Sequence, residues 1–102
     1  MLEKSIRMIG LATKAGKVIS GAELVLRAYK ESKIKLIILA KDIKENTAKD
    51  FLNVTVPVVY LGDKETLGKM TGKEQRSVVG ITDSNFAEVI LKEAGNSNVT
   101  EN

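Results

Sequence analysis

A continuous run of five apolar residues, LIILA at positions 36–40, is the feature that most constrains the fold. The run is too short for a helix, and it lacks the alternation of a strand that has one face in water. Such a run is typical of a strand that is covered on both faces. It therefore predicts a buried sheet with helices packed on both sides of it.

Helical and strand patterns alternate along the rest of the chain. Helices are predicted over residues 2–15, 20–32, 42–53 (with a start at Asp42 or Asn46), 63–71 and 84–94, and further strands over residues 17–19, 56–60 and 77–82. This alternation favours an α/β fold. We expect one domain over residues 1–95 and a polar, disordered tail over residues 96–102.

Local signals suggest where several helices begin and end. Ser20 and Glu23 fit the capping box S-x-x-E, which would make Ser20 the N-cap of the second helix. Asp63 fits the N-cap of a short helix, and Gly95 fits the end of the last one. The second helix has a polar face, and Leu24 is predicted on the opposite, buried face.

The stretch GLATKAGKV at positions 10–18 is similar to a phosphate-binding P-loop but does not match it. The pattern G-x-x-x-x-G-K-[ST] needs four residues between its glycines and a hydroxyl after its lysine. Here five residues separate Gly10 from Gly16, and Val18 follows Lys17. A helical pattern precedes the stretch, whereas a P-loop follows a strand. These differences exclude a P-loop nucleotide triphosphatase.

Composition excludes several kinds of catalytic site. The chain has neither cysteine nor histidine, so thiol nucleophiles, disulfides and the commonest metal ligands and general base are missing. Ser, Thr, Lys and carboxylates remain, but no pattern places a nucleophile beside a base. We expect a protein without enzymatic activity, cofactor or metal. No apolar run has transmembrane or signal-peptide length, so we expect a cytoplasmic protein that does not bind membranes.

Positive charge is concentrated in the first third of the chain. Residues 1–35 carry eight basic and three acidic side chains, a net charge of +5, whereas residues 36–102 carry eight basic and ten acidic ones, a net charge of −2. This asymmetry suggests a surface for a polyanion. Lysines that merely solvate two helices explain it equally well.

Two segments are candidates for contact with such a polyanion. The helix that begins at Gly21 would offer free N–H groups and a positive dipole end. The loop 73–77 contains Gln75 and Arg76, whose side chains can donate to base edges. An ordinary cap, an ion pair between Glu23 and Arg27, and an ordinary polar loop are the alternatives. The chain has only four aromatic residues, so a base-stacking platform is not expected.

Three stretches, GLATKAGKVISGAELVLRA, KLIILAKD and LGKMTGKEQRSVVGITD, resemble the kink-turn RNA-binding ribosomal proteins. That family includes the L-seven-Ae and L-thirty-e proteins, and the resemblance is strongest to its small bacterial YlxQ-type branch. It implies a three-layer α/β/α sandwich with a four-stranded mixed sheet. It also implies binding to a sharply bent RNA helix, which the second helix enters with its N-terminus while the loop before the last strand covers a flipped base.

The resemblance assigns RNA-binding roles to particular positions. The helix start falls on Gly21 and Ala22, the following basic residue on Arg27, and the covering loop on residues 74–77. The full implied set is Lys14, Lys17, Gly21, Ala22, Glu23, Arg27, Lys41, Glu74, Gln75, Arg76 and Ser77. Lys14 and Lys17 are expected beside the helix start, on the RNA backbone.

The chain departs from the family pattern in two places. Archaeal members have Asn-Glu where this chain has Glu23-Leu24, and a carboxylate accepts hydrogen bonds but cannot donate them. The segment between residues 41 and 57 is short, which predicts a truncated third helix. The leading hypothesis is a monomeric, non-catalytic binder of kinked ribosomal or regulatory RNA, with the ribosome as a candidate partner. The alternative is a protein–protein adaptor that keeps the fold without specific RNA recognition.

Overall fold

A computed structural model describes residues 3–99 of the chain. Within this range the chain forms five α-helices, one 3-10 turn and four strands. The helices are α1 (Lys4–Lys14), α2 (Ala22–Lys30), α3 (Glu45–Ala48), α4 (Lys64–Met70) and α5 (Ser84–Val99), with the 3-10 turn at Lys49–Phe51. The strands are β1 (Val18–Ser20), β2 (Leu36–Leu39), β3 (Val58–Tyr60) and β4 (Val78–Ile81).

The four strands form one mixed sheet in the order β1-β4-β2-β3. Strand β4 is antiparallel to β1 and β2, and β3 is parallel to β2. The central strands β2 and β4 are buried at every position. Residues 36–39 of the apolar run therefore form a strand covered on both faces, as predicted.

Two helical layers cover the sheet. One apolar cluster joins α1, α4 and α5 to one face of the sheet through residues such as Ile9, Leu67 and Ile90. A second cluster joins α2 and the 3-10 turn to the other face through residues such as Val25 and Phe51. The α/β/α sandwich with a four-stranded mixed sheet is therefore confirmed.

Four loops lie together at one edge of the sheet. Since β1, β2 and β3 run in the same direction and β4 runs against them, the first three end where β4 begins. Gly21, Lys41 and Gly62 follow the three strands there, and Ser77 precedes the fourth. We call this the carboxyl edge of the sheet.

The capping box predicted for the second helix is wrong. Ser20 belongs to β1, where it pairs with Val79. Gly21 is the N-cap of α2, and no side chain caps it. Gly21 has a φ of 100°, which glycine adopts readily because it lacks a Cβ. The strand thus continues one residue further than the local pattern suggests.

Two further expectations about helices are wrong. Leu24 is 53 % exposed, because Val25 and Ala28 supply the buried face of α2. The last helix does not end at Gly95, since α5 continues to Val99. It therefore includes residues 96–99 of the predicted tail, whereas residues 100–102 lie outside the described part. The division at residue 95 stays a prediction.

The third helix is a single turn, in agreement with the truncation expected from the short segment between residues 41 and 57. It does not start at Asp42 or Asn46. Asp42 instead accepts a hydrogen bond from the backbone N–H of Lys64 at 2.9 Å, which ties the end of β2 to the start of α4. None of the helices within residues 3–99 has both the length and the apolarity needed to cross a membrane.

Candidate nucleic-acid interface

The two segments singled out in the sequence meet at the carboxyl edge. The Nε of Arg76 lies 3.3 Å from the Oγ of Ser20, across 56 positions of sequence. A Cβ placed on Gly21 would lie 3.9 Å from the same Nε. The start of α2 and the loop before β4 therefore form one continuous surface.

The N-terminus of α2 presents backbone donors to this surface. The N–H of Gly21 is bonded to the carbonyl of Val78 at 2.9 Å, which fixes the start of the helix against β4. No side chain caps the first turn, so its N–H groups and the positive end of the helix dipole are available to an acceptor. Ala22 is half-buried, whereas Glu23 and Leu24 are exposed beside it.

Arg76 is held in place by the loop and by α4. Its backbone N–H donates to the backbone carbonyl of Lys64 at 3.0 Å, and its side-chain Nη1 donates to the backbone carbonyl of Gln75 at 2.8 Å. A guanidinium has five N–H donors, and only two are used by residues 3–99. Three donors therefore remain for a ligand, while Gln75 and Glu74 extend into solvent.

A close backbone contact also holds this loop. A Cβ on Gly68 would lie 2.4 Å from the carbonyl oxygen of Glu74, a distance that no side chain tolerates. Helix α4 is itself fixed by Asp63, whose Oδ1 accepts from the N–H of Thr66 at 2.8 Å. That hydrogen bond lowers the pKa of Asp63 below its ordinary value of 3.8. The cap, the helix and the glycine contact together position the loop.

Lys41, Ser77 and Arg27 border the surface. The N–H of Ala40 donates to the carbonyl of Ser77 at 2.9 Å, which places exposed Lys41 beside the loop. Arg27 is exposed one turn along α2 from Glu23. The two residues form no ion pair within the described part of the chain. Both of the alternatives proposed for Glu23, a capping partner and an ion pair, are therefore wrong.

Lys17 is not brought into this cluster. The carbonyl of Lys17 accepts from the N–H of Thr82 at 2.9 Å, at the opposite end of β1 from Gly21. Four strand steps separate Lys17 from Gly21, a span of about 13 Å. The expected position of Lys17 beside the helix start is therefore wrong, whereas that of Lys14 stays a prediction. Both side chains are exposed, and contact with an RNA backbone by them stays a prediction.

Sequence reasoning missed three residues that position this surface. They are Ser20, Lys64 and Gly68. Gly68 could have been found, because a glycine inside a helix is unfavourable and so indicates a close approach by another segment. Ser20 and Lys64 act through contacts between distant parts of the chain, for which the sequence carries no local signal.

Fold and site define a small α/β/α sandwich with an exposed polar surface at the carboxyl edge of its sheet. A model of the ribosomal protein L7Ae/L30e/S12e/Gadd45 family matches residues 3–91, and the chain belongs to this family. The resemblance noted in the sequence is thereby confirmed.

Curated relatives and solved structures agree with this assignment. The chain is 36 % identical over 88 residues to RNA-binding protein YlxQ of Bacillus subtilis (strain 168), covering 82 % of this chain and 88 % of that protein. It is 37 % identical over 90 residues to RNA-binding protein YlxQ of Enterococcus faecium, covering 84 % and 86 %. A protein of unknown function from Bacillus halodurans C superposes with a TM-score of 0.86 at 29 % identity, covering 91 % of this chain and 98 % of that one.

A more distant structure shows the same fold. The Giardia lamblia 15.5kD RNA binding protein superposes with a TM-score of 0.73 at 20 % identity, covering 92 % of this chain and 84 % of that one. The relatives are ribosomal-type and RNA-binding proteins, a family without enzymes, which confirms the prediction of a non-catalytic protein.

Proposed function

We propose that this protein binds structured RNA through the carboxyl edge of its sheet and prefers a kink-turn. The contact between Arg76 and Ser20 carries the proposal, because it joins the start of α2 and the loop before β4 into one surface. The names of the two bacterial YlxQ relatives, both RNA-binding proteins, support it.

The chemistry of the surface suits a bent RNA helix. A regular RNA major groove is too deep and narrow for side chains, and a kink opens it. The first turn of α2 would then approach phosphate oxygens with its free N–H groups. Arg27 and Arg76 offer the paired donors that match guanine or phosphate. Gln75 and Lys41 would contact the strand that passes the loop.

The proposal includes the setting in which the protein acts. We propose that it is a cytoplasmic monomer and that its RNA is ribosomal or regulatory. It would stabilise the kinked shape without chemical change to the RNA.

A comparison of two RNAs tests the proposal. One RNA contains a kink-turn, and the other is a straight duplex of equal length and charge. We expect tighter binding to the kinked RNA. We also expect the logarithm of the binding constant to fall against the logarithm of the salt concentration with a slope of about −0.7 to −0.9 per phosphate contacted. Arg76→Ala should remove most of the preference, whereas Lys49→Ala, an exposed lysine on the 3-10 turn, should not. Equal affinity for the two RNAs would count against the proposal.

The exposed pair Glu23 and Leu24 favours one alternative. A carboxylate repels phosphate, and Leu24 presents an apolar side chain that is 53 % exposed in the first turn of α2. If the same surface is a protein–protein contact, the chain has no preference for kinked RNA. Leu24→Ser would then weaken the protein contact and leave residual RNA binding unchanged.

A further inference from the structure

An apolar groove lies between α1 and α4, in the helical layer opposite to α2. Its volume is about 700 Å³, and the apolar part of its lining includes Met8, Gly10, Leu11 and Met70. A Cβ on Gly10 would lie 3.4 Å from the Sδ of Met70, so the glycine leaves the groove open at its centre. This groove does not belong to the RNA-binding surface proposed above.

Helix α1 has more apolar surface than the core uses. Its buried positions include Ile6, Ile9 and Ala12, which face the sheet. Leu11 lies outside this set and is 52 % exposed, and Met8 is half-buried next to it. A helix with a second apolar stripe has a second surface that favours an apolar partner.

Cations surround the apolar lining, and none of the described residues that line the groove is acidic. The four cations are Lys4, Arg7, Lys14 and Lys69. Lys4 is paired with Glu93 at 3.7 Å, and Lys69 with Glu65 at 3.4 Å. Within residues 3–99, Arg7 and Lys14 form no ion pair, so both are available to a partner's carboxylates.

The spacing of these residues indicates the shape of a partner. Lys4, Arg7, Leu11 and Lys14 follow one another at intervals of three and four, which places them along one side of α1. Ten residues of helix span about 15 Å. That length corresponds to two to three turns of a second helix lying in the groove.

We propose that this groove binds a short amphipathic helix of a partner protein, with apolar residues at i, i+3 or i+4, and i+7 and with acidic residues on either side. The apolar residues contact Met8, Leu11 and Met70, and the carboxylates pair with Arg7 and Lys14. Methionine side chains adjust to different apolar shapes, which suits a groove of this kind.

Charge and apolarity together favour this occupant over two others. An RNA backbone would satisfy the cations but would leave Leu11 and the methionines without an apolar partner. A second copy of the chain, related by two-fold symmetry, would place the same cations opposite each other. An acidic amphipathic helix satisfies both kinds of side chain.

The groove is next to the RNA surface proposed at the carboxyl edge, and Lys14 of its lining is also predicted to contact the RNA backbone. Gly72 lines the groove and begins the loop that leads to Arg76. A helix bound there would lie beside bound RNA. The protein would then link an RNA to an acidic partner protein, and the peptide site does not depend on RNA binding.

Selection from a displayed library of random 16-residue peptides tests the inference. The full-length protein is the target, and excess Leu11→Ser protein in solution removes peptides that bind elsewhere. We expect enriched peptides with a net negative charge and apolar residues at helical spacing. Failure to enrich this class would overturn the inference.

Affinities of an enriched peptide for matched variants complete the test. We expect binding to weaken about tenfold for Leu11→Ser and by a similar factor for Arg7→Glu. The controls are Leu52→Ser, which removes a leucine that is 74 % exposed elsewhere, and Lys49→Glu; neither should change the affinity. Circular dichroism verifies that each variant is folded. Unchanged binding to both groove variants would overturn the inference.

Two further measurements distinguish the other occupants. Leu11→Ser should bind kinked RNA as the wild type does, and a parallel loss of RNA affinity would assign the groove to the RNA surface. Sedimentation should show that the wild-type protein is not a dimer. A wild-type dimer that Leu11→Ser abolishes would mean that a second copy of the chain occupies the groove. If the protein binds no RNA but binds the peptide, the RNA proposal fails and the groove inference stands.

Discussion

The Nε of Arg76 lies 3.3 Å from the Oγ of Ser20, and this contact joins the loop before the last strand to the start of the second helix. Ser20 is the last residue of β1, and Arg76 lies just before β4, its antiparallel neighbour. The pairing of these two strands therefore determines that the two segments meet. It also explains why Ser20 faces a guanidinium and does not cap α2.

Arg27→Ala should weaken binding to a kink-turn by about 1–3 kcal/mol if the guanidinium donates to guanine through two hydrogen bonds. The side chain is exposed and forms no ion pair within residues 3–99, so the fold should be unchanged. Isothermal titration with kinked RNA measures the effect, and Lys30→Ala on the same helix is the control. Unchanged affinity would show that Arg27 has no such role.

Lys14→Gln combined with Lys17→Gln should lower affinity for all RNAs alike. Lys17 lies at the far end of β1 from Gly21, and Lys14 ends α1 three residues before it. We expect both side chains to contact backbone phosphates and not bases. The log–log salt slope should flatten by up to about two units. Lys44→Gln with Lys49→Gln is the matched control. A loss confined to one RNA sequence would mean that the lysines contact bases.

Glu23→Asn should tighten binding to a kink-turn, because it removes a negative charge from the proposed RNA surface and introduces a donor. Since Glu23 is exposed and does not cap α2, the free energy of unfolding should change by less than about 0.5 kcal/mol. Binding titrations and chemical denaturation measure the two effects separately. Weaker binding by a folded variant would show that Glu23 itself contributes to recognition.

Gly68→Ala should destabilise the protein and weaken RNA binding together. The added Cβ would lie 2.4 Å from the carbonyl oxygen of Glu74, so the loop that carries Arg76 must move. The expected loss in unfolding free energy is about 1–3 kcal/mol. Gly95→Ala is the control, because nothing lies within 4 Å of its Cβ and alanine favours the helix by roughly 0.5–1 kcal/mol. A stable Gly68→Ala variant would show that the contact is not tight in solution.

Asp63→Ala should lower the melting temperature near neutral pH, and the difference from wild type should shrink in acid. The N–H of Thr66 lowers the pKa of the Asp63 carboxyl in the folded protein. The carboxylate therefore stabilises the fold above its ordinary pKa of 3.8, and this contribution is lost as the pH falls through the lower folded value. Melting curves at about pH 7 and about pH 2 measure it. Asp63→Asn should retain most of the stabilisation by the N-cap at both pH values. A difference that does not depend on pH would contradict the role of the charge.

The sequence alone determined the class of the fold and the location of the elements. The apolar run at residues 36–40 predicts a strand covered on both faces, because it is too short for a helix and lacks the alternation of a half-exposed strand. The cap at Asp63 followed from the same kind of local chemistry, because an N-cap depends on bonds within one turn. The three stretches GLATKAGKVISGAELVLRA, KLIILAKD and LGKMTGKEQRSVVGITD identify the family from the sequence alone.

Only the tertiary structure decided which residues form the candidate site. Taken by themselves, Ser20 and Glu23 fit a capping box. The pairing of β1 with β4 instead extends the strand through Ser20. The apolarity of Leu24 predicts a place on the buried face of α2, yet Val25 and Ala28 supply that face and Leu24 is 53 % exposed. Lys17 and Gly21 are close in sequence, but an extended strand separates them, whereas residues 56 positions apart are in contact. Local pattern determines what a segment can become, and the packing of distant segments determines which of its side chains reach solvent together.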